Sequence, residues 1–267
     1  MIAQTLNQRH RHDAGGTREA MRVLRCLSGL PPDQGRQDPH QRQVPEANPQ
    51  GAGAGRRRHQ GIRLEMKSEQ IREQNAEYMR LFQLGRDLTD IPVRRKGKWE
   101  VVHQEQRDGE IKTALVHDER GEVMTNANDE IHDAASFAAS ACGRVLVLGL
   151  GLGLVVRLLL ARDQVDEVAV VEVEPDVVVL VGSDLLGGEH EGRLHIRTAD
   201  AYSPEVVEQF TQWRPQSVFA DTFDNADERT HGDRQKAREL WEPVTQRLVI
   251  WQEERSRIAM IEQPPEH

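Results

Sequence analysis

Arg144-Val-Leu-Val-Leu-Gly-Leu-Gly-Leu-Gly153 is the stretch that decides the fold, because an apolar, β-branched run passes directly into three alternating glycines. An apolar helical pattern follows, and the next strand-like run, Val168-Ala-Val-Val-Glu-Val-Glu174, ends in acids. Strand, glycine turn, helix and second strand together predict the first βαβ unit of a nucleotide-binding α/β sheet. The glycines let the backbone pass close beneath a ligand, and the acid accepts hydrogen bonds from ribose hydroxyls.

The glycine spacing separates two classes of ligand. A dinucleotide fingerprint needs its third glycine where this chain has Leu154. The spacing found is G-x-G-x-G, carried by Gly149, Gly151 and Gly153. With Glu172 or Glu174 beyond it, this pattern resembles the class I S-adenosylmethionine-dependent transferases. The resemblance implies that the cofactor is S-adenosyl-L-methionine (SAM), or alternatively decarboxylated SAM, with the glycine loop beside its amino-acid part. A glycine-rich turn that binds no ligand is the structural alternative.

Acids also follow the next two predicted strands. Arg193-Leu-His-Ile-Arg-Thr-Ala-Asp200 predicts a third strand that ends in Asp200-Ala201, and Ser217-Val-Phe-Ala-Asp221-Thr-Phe-Asp224 predicts a fourth. In open parallel sheets, ligands bind outside the carboxyl ends of the strands, so Glu172, Asp200 and Asp221 are expected to converge on one crevice. Two of these acids also have a structural interpretation: Asp200 as an acidic loop residue near a helix cap, and Asp221, with Asp224, as a cap of the next helix.

Charge and cysteine content narrow the class of protein. Residues 1–65 carry eleven Arg, no Lys and six acids, whereas residues 66–267 carry 24 basic and 38 acidic side chains. An acidic globular part argues against nucleic acid as a partner and suits a small or cationic molecule. Only Cys26 and Cys142 are present, without His at metal-ligand spacing, so we expect no disulfide framework, no metal site and a cytoplasmic location. No apolar run predicts a membrane span.

Composition divides the chain into three parts. Residues 1–65 contain no aromatic ring except histidine, so we predict a disordered extension, with Met66 as a hypothetical true start. Residues 66–132 predict a helix over 67–85 and then a small antiparallel β-hairpin region. Residues 133–267 predict a Rossmann-like class I methyltransferase sheet. Its predicted helices include 133–142, 154–162, 176–186 and 228–240, and its last strands 247–251 and 257–261. An exposed hairpin and an incomplete sheet edge both permit a homodimer.

The order of these elements resembles the spermidine synthase branch of the class I fold, over about half of the chain. Leu115-Val-His-Asp-Glu-Arg-Gly-Glu-Val-Met-Thr-Asn-Ala-Asn-Asp-Glu130 resembles the hairpin that lies over the active site of that family. The resemblance implies that Glu172 binds the ribose, that Asp200 binds the adenine, and that Asp221 is the catalytic acid that orients and deprotonates the attacking amine. Asp224 is then a second carboxylate that attracts a cationic substrate.

The chain also departs from the pattern of the aminopropyl-transferring members. Leu150 replaces the second glycine of their loop, Leu158 replaces a glutamate on the next helix, and Ile131-His132 replaces a tyrosine–histidine pair. The nucleoside site is kept whole and the polyamine site only in part. These differences favour a SAM-dependent methyltransferase of spermidine-synthase-like type that acts on a small molecule or an amine-bearing substrate. A polyamine aminopropyltransferase using decarboxylated SAM and a non-catalytic SAM-fold module remain the alternatives.

Overall fold

The computed structural model describes residues 71–186, 190, 192–223 and 231–253. The chain divides into two compact units, and Tyr78 and the residues after it belong to the one that contains every described strand. Of the other unit, which ends at Glu77, the structure describes only residues 71–77, which are helical. The predicted extension over 1–65, the start at Met66, the strand over 257–261 and Asp224 lie outside the described residues. The boundaries of the three parts stay predictions.

The antiparallel sheet is built from consecutive strands in chain order. Its described strands are β1 (Arg94–Lys96), β2 (Trp99–Glu105), β3 (Ile111–His117) and β4 (Gly121–Thr125). The predicted hairpin turns fall between β2 and β3 and between β3 and β4, where Gly109 and Gly121 have positive φ angles that suit tight turns. The predicted antiparallel region is therefore confirmed, and β1 extends it by a strand that the sequence pattern did not indicate.

The second sheet is parallel throughout and follows the antiparallel one in the chain. Its described strands are β5 (Gly143–Leu148), β6 (Val165–Glu172), β7 (Leu194–Thr198), β8 (Ser217–Ala220) and β9 (Arg247–Ile250). They lie in the order β7-β6-β5-β8-β9, so the chain steps outward from β5 first on one side and then on the other. This reversal opens a crevice at the carboxyl end of β5, which is where open α/β sheets bind ligands.

Helices connect these strands and cover both faces of the parallel sheet. They are α1 (residues 71–86), α2 (Asn128–Ser140), α3 (Leu154–Leu160), α4 (Pro175–Val177, Val178–Gly182 and Ser183–Leu185 in succession), α5 (Pro204–Trp213) and α6 (His231–Trp241). The helix before β5 begins at Asn128, earlier than the predicted start at Asp133. Asp129 and Glu130 occupy its first turn, where acids are favoured by the positive end of the helix dipole.

The apolar core has two halves because successive residues of a strand point to opposite faces of the sheet. On one face, Val145 and Val147 of β5 pack with α2, α3, α4 and the antiparallel sheet. On the other face, Leu146 and Leu148 pack with α5 and α6, including the fully buried Trp241. A strand buried on both faces reads as a continuous apolar run, which explains the unbroken stretch that precedes the glycines.

The antiparallel sheet is joined to the parallel domain through α4. Nε of Arg94 donates a hydrogen bond to the carbonyl of Leu180 at 2.9 Å, and its guanidinium forms an ion pair with Asp184 at 2.6 Å. Leu180 lies in the π-helical centre of α4. Nearby, the turn between β1 and β2 passes so close to Asp176 that a Cβ on Gly97 would overlap its carboxylate. These contacts hold one side of the small sheet against the start of α4.

Two local expectations are corrected by the structure. Cys142, which was expected to stay outside any disulfide framework, is buried and disulfide-bonded, and no other cysteine lies within the described residues. The cytoplasmic location inferred from the cysteine content stays a prediction. Ser203 precedes α5 as predicted, but its hydroxyl makes no cap hydrogen bond. Among the described helices, none has both the length and the apolarity that crossing a membrane requires.

We predict that Arg94→Met lowers the free energy of unfolding by about 1–3 kcal/mol, because it removes charge-assisted hydrogen bonds to α4. The matched control is Arg95→Met. Arg95 is half exposed and forms ion pairs inside its own sheet, with Glu100 and Asp118, so its loss should cost less than about 1 kcal/mol. Urea unfolding followed by circular dichroism measures both. Equal losses in the two variants would show that Arg94 does not hold the sheet to α4.

Candidate functional site

A cavity of about 420 Å³ lies at the carboxyl ends of the parallel strands. It lies where the strand order predicts the crevice, and its wall also includes side chains from β2, β3 and β4. Most of the candidate residues line it together: Gly149, Gly151, Glu172, Glu174, Asp200, Ala201 and Asp221. Gly153 is not part of the wall, and Asp224 falls outside the described residues. The structure thus brings the acids that follow three successive strands, β6, β7 and β8, to one cavity.

The glycine loop needs glycine for close backbone approach as well as for its conformation. Gly149, Gly151 and Gly153 all have positive φ angles. A Cβ on Gly149 would overlap the carbonyl oxygen of Asp221, and one on Gly151 would overlap the sulfur of Met124. Gly153 ends the loop as the residue before α3, and a Cβ there would crowd the side chain of Leu185. The first two glycines therefore set the floor of the cavity, and the third sets the packing of α3 on α4.

Glu172 ties the end of β6 to the glycine loop. Its Oε2 accepts a hydrogen bond from the backbone N–H of Leu150 at 2.7 Å, and its Oε1 accepts one from that of Glu174 at 2.8 Å. The residue is 7% exposed, and burial raises the pKa of its carboxyl. The backbone N–H of Val173 is a third donor to this carboxylate, and one acceptor position then remains for a ligand. The geometry thus gives Glu172 a structural role in addition to the predicted role on ribose.

The loops after β7 and β8 meet across the cavity wall. Oδ1 of Asp200 accepts a hydrogen bond from the N–H of Tyr202 at 2.8 Å, which forms a tight local turn and leaves the side chain exposed. The hydroxyls of Tyr202 and Thr222 are 2.6 Å apart. Asp200 therefore forms a local turn before α5, whose N-cap is Ser203, and it also borders the cavity. Ala201 is buried beside it and presents a small apolar surface.

Asp221 shares the cavity with a second carboxyl that sequence patterns did not single out. Burial, with Asp133 and Glu172 nearby, raises the pKa of Asp221 to about 7, although the buried Arg234 opposes this shift. Burial and the charge of Asp221 raise the pKa of Glu130, in the first turn of α2, to about 8. Two acids that titrate near neutrality in a ligand-sized cavity are suited to accepting and releasing protons.

Several other residues of the wall were also missed from the sequence. Val173 lies between Glu172 and Glu174, and its side chain, which is 61% exposed, gives this part of the wall an apolar surface. Trp99 and Arg120 come from the antiparallel sheet. The only sequence signal for Val173 was its position between two acids. Arg120 lies within the segment from Leu115 to Glu130 whose resemblance implied a hairpin over the site, although the residue itself was not singled out. Trp99 gave no signal, because nothing local indicates that β2 reaches the cavity.

The described residues contain no group of His, Cys, Asp and Glu side chains that could hold a metal ion. His132, which stands where a tyrosine–histidine pair was looked for, contacts the hydroxyl of Tyr78 through Nδ1 at 2.8 Å and is not part of the cavity wall. Among the described residues of the wall, the polar side chains include the carboxyls, the hydroxyls of Tyr202 and Thr222, and Arg120.

Comparisons with known proteins found a limited structural likeness. No family model matches the chain, and no curated protein sequence matches it. The chain is similar to the crystal structure of spermidine synthase from Thermotoga maritima, with 20% sequence identity and a TM-score of 0.35. That match covers 55% of this chain and 52% of the synthase. The chain is also similar to a spermidine synthase in complex with the transition-state analogue AdoDATO, with 22% identity and a TM-score of 0.35, covering 50% of this chain and 46% of that one. The chain thus spans about half the length of these structures, which leaves its activity open.

We predict that Gly149→Ala destabilises the protein by about 1–3 kcal/mol more than Gly109→Ala does. Both glycines have similar positive φ angles, 90° and 83°, so both variants carry the same backbone strain. A methyl group on Gly109 meets open space, whereas one on Gly149 meets the backbone of Asp221. Thermal and urea unfolding measure the difference. Equal destabilisation would mean that the two loops are not in close contact.

We also predict that Asp221→Asn and Glu130→Gln gain stability relative to the wild type as the pH rises. The ordinary pKa values are 3.8 and 4.5, and the folded values are about 7 and about 8, so the folded protein binds more protons than the unfolded chain between these limits. Wild-type stability therefore falls across that range, and the neutral variants escape this loss. Urea unfolding at about pH 5 and about pH 9 tests it. A constant stability difference between variant and wild type would contradict the raised pKa values.

Proposed function

We propose that this protein is a transferase of the class I SAM-dependent superfamily, spermidine-synthase-like in type, that methylates an amine-bearing small molecule. The observation that carries the proposal is the cavity in which the glycine loop, Glu172, Asp221 and Glu130 meet. The G-x-G-x-G loop and the strand order β7-β6-β5-β8-β9 support a Rossmann-like cofactor domain. The 420 Å³ of space is in the range of small-molecule sites.

The residues of the cavity fit a sulfonium nucleoside. Gly149 and Gly151 line the cavity, and their lack of side chains lets the loop pack against the backbone of Asp221 and the sulfur of Met124 with its own backbone bare toward the cavity. Glu172 retains acceptor capacity for ribose hydroxyls, Asp200 and Ala201 border the expected adenine position, and Val173 offers the ring an apolar surface. A bound sulfonium supplies an electrophilic carbon with a thioether leaving group.

The contribution of the protein to the reaction is positioning and proton handling. An ammonium substrate is attracted by the acids of the cavity, and it must lose a proton before its nitrogen can form a bond to carbon. Asp221, whose pKa lies near 7, is matched to accept that proton near neutral pH. Alignment of the nitrogen with the electrophilic carbon supplies the remaining rate enhancement, since methyl transfer needs little other catalysis.

A second candidate is aminopropyl transfer from decarboxylated SAM, and the charge layout of the cavity favours it. The backbone of Asp221 packs against Gly149 of the glycine loop, beside which the amino-acid part of SAM is expected, and Glu130 lies close enough to Asp221 for their charges to interact. Arg120, the only Lys or Arg among the described residues of the wall, approaches Glu174 instead, at 3.9 Å. A donor that carries a carboxylate meets like charges beside the loop, whereas a decarboxylated donor does not.

Titration calorimetry of the full chain with SAM and with decarboxylated SAM tests the proposal. Tighter binding of SAM supports methyl transfer, and tighter binding of decarboxylated SAM supports aminopropyl transfer. Mixing each donor with putrescine and with a panel of monoamines then identifies the reaction, since methyl transfer releases S-adenosylhomocysteine and aminopropyl transfer releases methylthioadenosine. Binding without turnover supports the non-catalytic module, and no binding of either donor contradicts the proposed function.

We predict that Asp221→Asn lowers turnover about 100-fold or more and leaves donor affinity within about threefold, because it removes the proton acceptor and keeps the shape of the site. Asp129→Asn is the matched control. Asp129 is an exposed acid beside Glu130 that does not line the cavity, so its loss should leave turnover unchanged. Full activity in Asp221→Asn would remove this residue from the mechanism.

A further inference from the structure

Arg120 is held over the cavity by contacts within the antiparallel sheet. It lies in the turn between β3 and β4, and its guanidinium lies 4.7 Å from the ring centre of Trp99, within the range of a cation–π interaction. Both residues line the cavity, and Nη2 of Arg120 is 3.9 Å from Oε1 of Glu174. The guanidinium therefore lies at the end of the cavity where Glu174 and Val173 follow β6, which is the end expected to hold the nucleoside.

The turn that carries Arg120 is organised by His117. Nδ1 of His117 accepts hydrogen bonds from the backbone N–H groups of Glu119 at 3.2 Å and Arg120 at 3.3 Å. The His117 ring meets the edge of Trp99 with the ring centres 4.8 Å apart, and both side chains are buried. Trp99 and His117 are also paired residues of neighbouring strands. The register of β2 and β3 places His117 against Trp99, and His117 holds the turn that carries Arg120. These contacts fix the position of Arg120.

We infer that Arg120 donates hydrogen bonds to the ribose hydroxyls of the bound nucleoside and is a specificity-determining residue of the site. The inference rests on the proposed function, since it assumes that the cavity binds a nucleoside. The carboxylate oxygens of Glu172 and Glu174 accept hydrogen bonds, so they pair with the hydrogens of a ribose diol. A guanidinium has donors and no acceptors, so it satisfies the diol oxygens that the two acids leave unpaired.

The geometry between Arg120 and Glu174 suits this role. Their 3.9 Å separation is longer than a direct hydrogen bond, so the two charges attract each other across a gap that a hydroxyl can bridge. Stacking on Trp99 fixes the plane of the guanidinium, which lowers the entropy lost when it donates to a ligand. A sugar that lacks a hydroxyl leaves one of these charged groups without its partner, and sites of this kind reject the deoxy analogue strongly.

The test uses 5′-methylthioadenosine and its 2′-deoxy and 3′-deoxy analogues, titrated calorimetrically into the full chain. We expect the wild type to bind the parent compound at least about tenfold more tightly than one of the deoxy analogues, the usual size of a charge-assisted hydrogen bond. The Arg120→Met variant should bind methylthioadenosine about tenfold more weakly than the wild type does. The ratio of its affinities for methylthioadenosine and for that analogue should fall towards one. Arg120→Lys, which keeps the charge but loses the planar fork, should recover part of the ratio.

Arg107→Met is the matched control. Arg107 is exposed in the turn between β2 and β3, at the opposite end of the same strands, so this variant removes one positive charge from the same sheet. It should keep the wild-type affinities. Thermal unfolding of each variant separates loss of the fold from loss of binding.

The outcomes distinguish the two proposals. A wild type that binds neither methylthioadenosine nor either donor contradicts both the proposed function and the role of Arg120. A wild type that binds a donor but not methylthioadenosine contradicts the role of Arg120 alone, because its ribose contacts then contribute too little to be measured. A wild type that binds the parent and both deoxy analogues equally contradicts the role of Arg120 alone, whatever the variants do. If a folded Arg120→Met protein keeps the full preference for methylthioadenosine over its deoxy analogues, the acids bind the ribose without Arg120. That result contradicts the role of Arg120 and leaves the proposed function standing.

Discussion

The carboxylate of Glu172 is the contact on which the rest of the site depends. One oxygen binds the N–H of Leu150 in the glycine loop, and the other binds the N–H of Glu174 where the chain leaves β6. These bonds fix the ends of two neighbouring strands relative to each other. They do so only because Gly149 lets the loop pass against the backbone of Asp221, at the end of β8. The buried carboxylate of Glu172 and the absence of a side chain at Gly149 together align the ends of β5, β6 and β8.

The second constraint is that a parallel sheet alone provides only part of a cavity. The small antiparallel sheet supplies the opposing wall through Trp99, Met124 and Arg120. The sulfur of Met124 accepts a hydrogen bond from the N–H of Leu152 at 3.1 Å, and Arg94 joins the same sheet to α4. The cavity therefore lies between two sheets of different construction, and its shape depends on how firmly the smaller one is held.

Charge is distributed unequally in this cavity, and the distribution has chemical consequences. Glu130 and Asp221 form an acidic side near the glycine loop, where burial keeps their pKa values near neutrality. Arg120 faces Glu174 at the other side. A ligand with a positive group near the loop and hydrogen-bond acceptors near Arg120 would complement both sides of the cavity.

The sequence by itself determined the two sheets, the glycine loop and the acids that follow β6, β7 and β8, because these features depend on local patterns: an apolar run, a glycine spacing and an acid at the end of a strand. It also indicated the antiparallel hairpins from their turns. The tertiary structure was needed to show that Glu130 lies near Asp221, that Trp99 and Arg120 reach the cavity beside Glu174, and that Gly153 packs helices instead of lining the cavity. Those relations join residues far apart in the chain. Strand register and the packing of one sheet on another create them, and no local pattern encodes either.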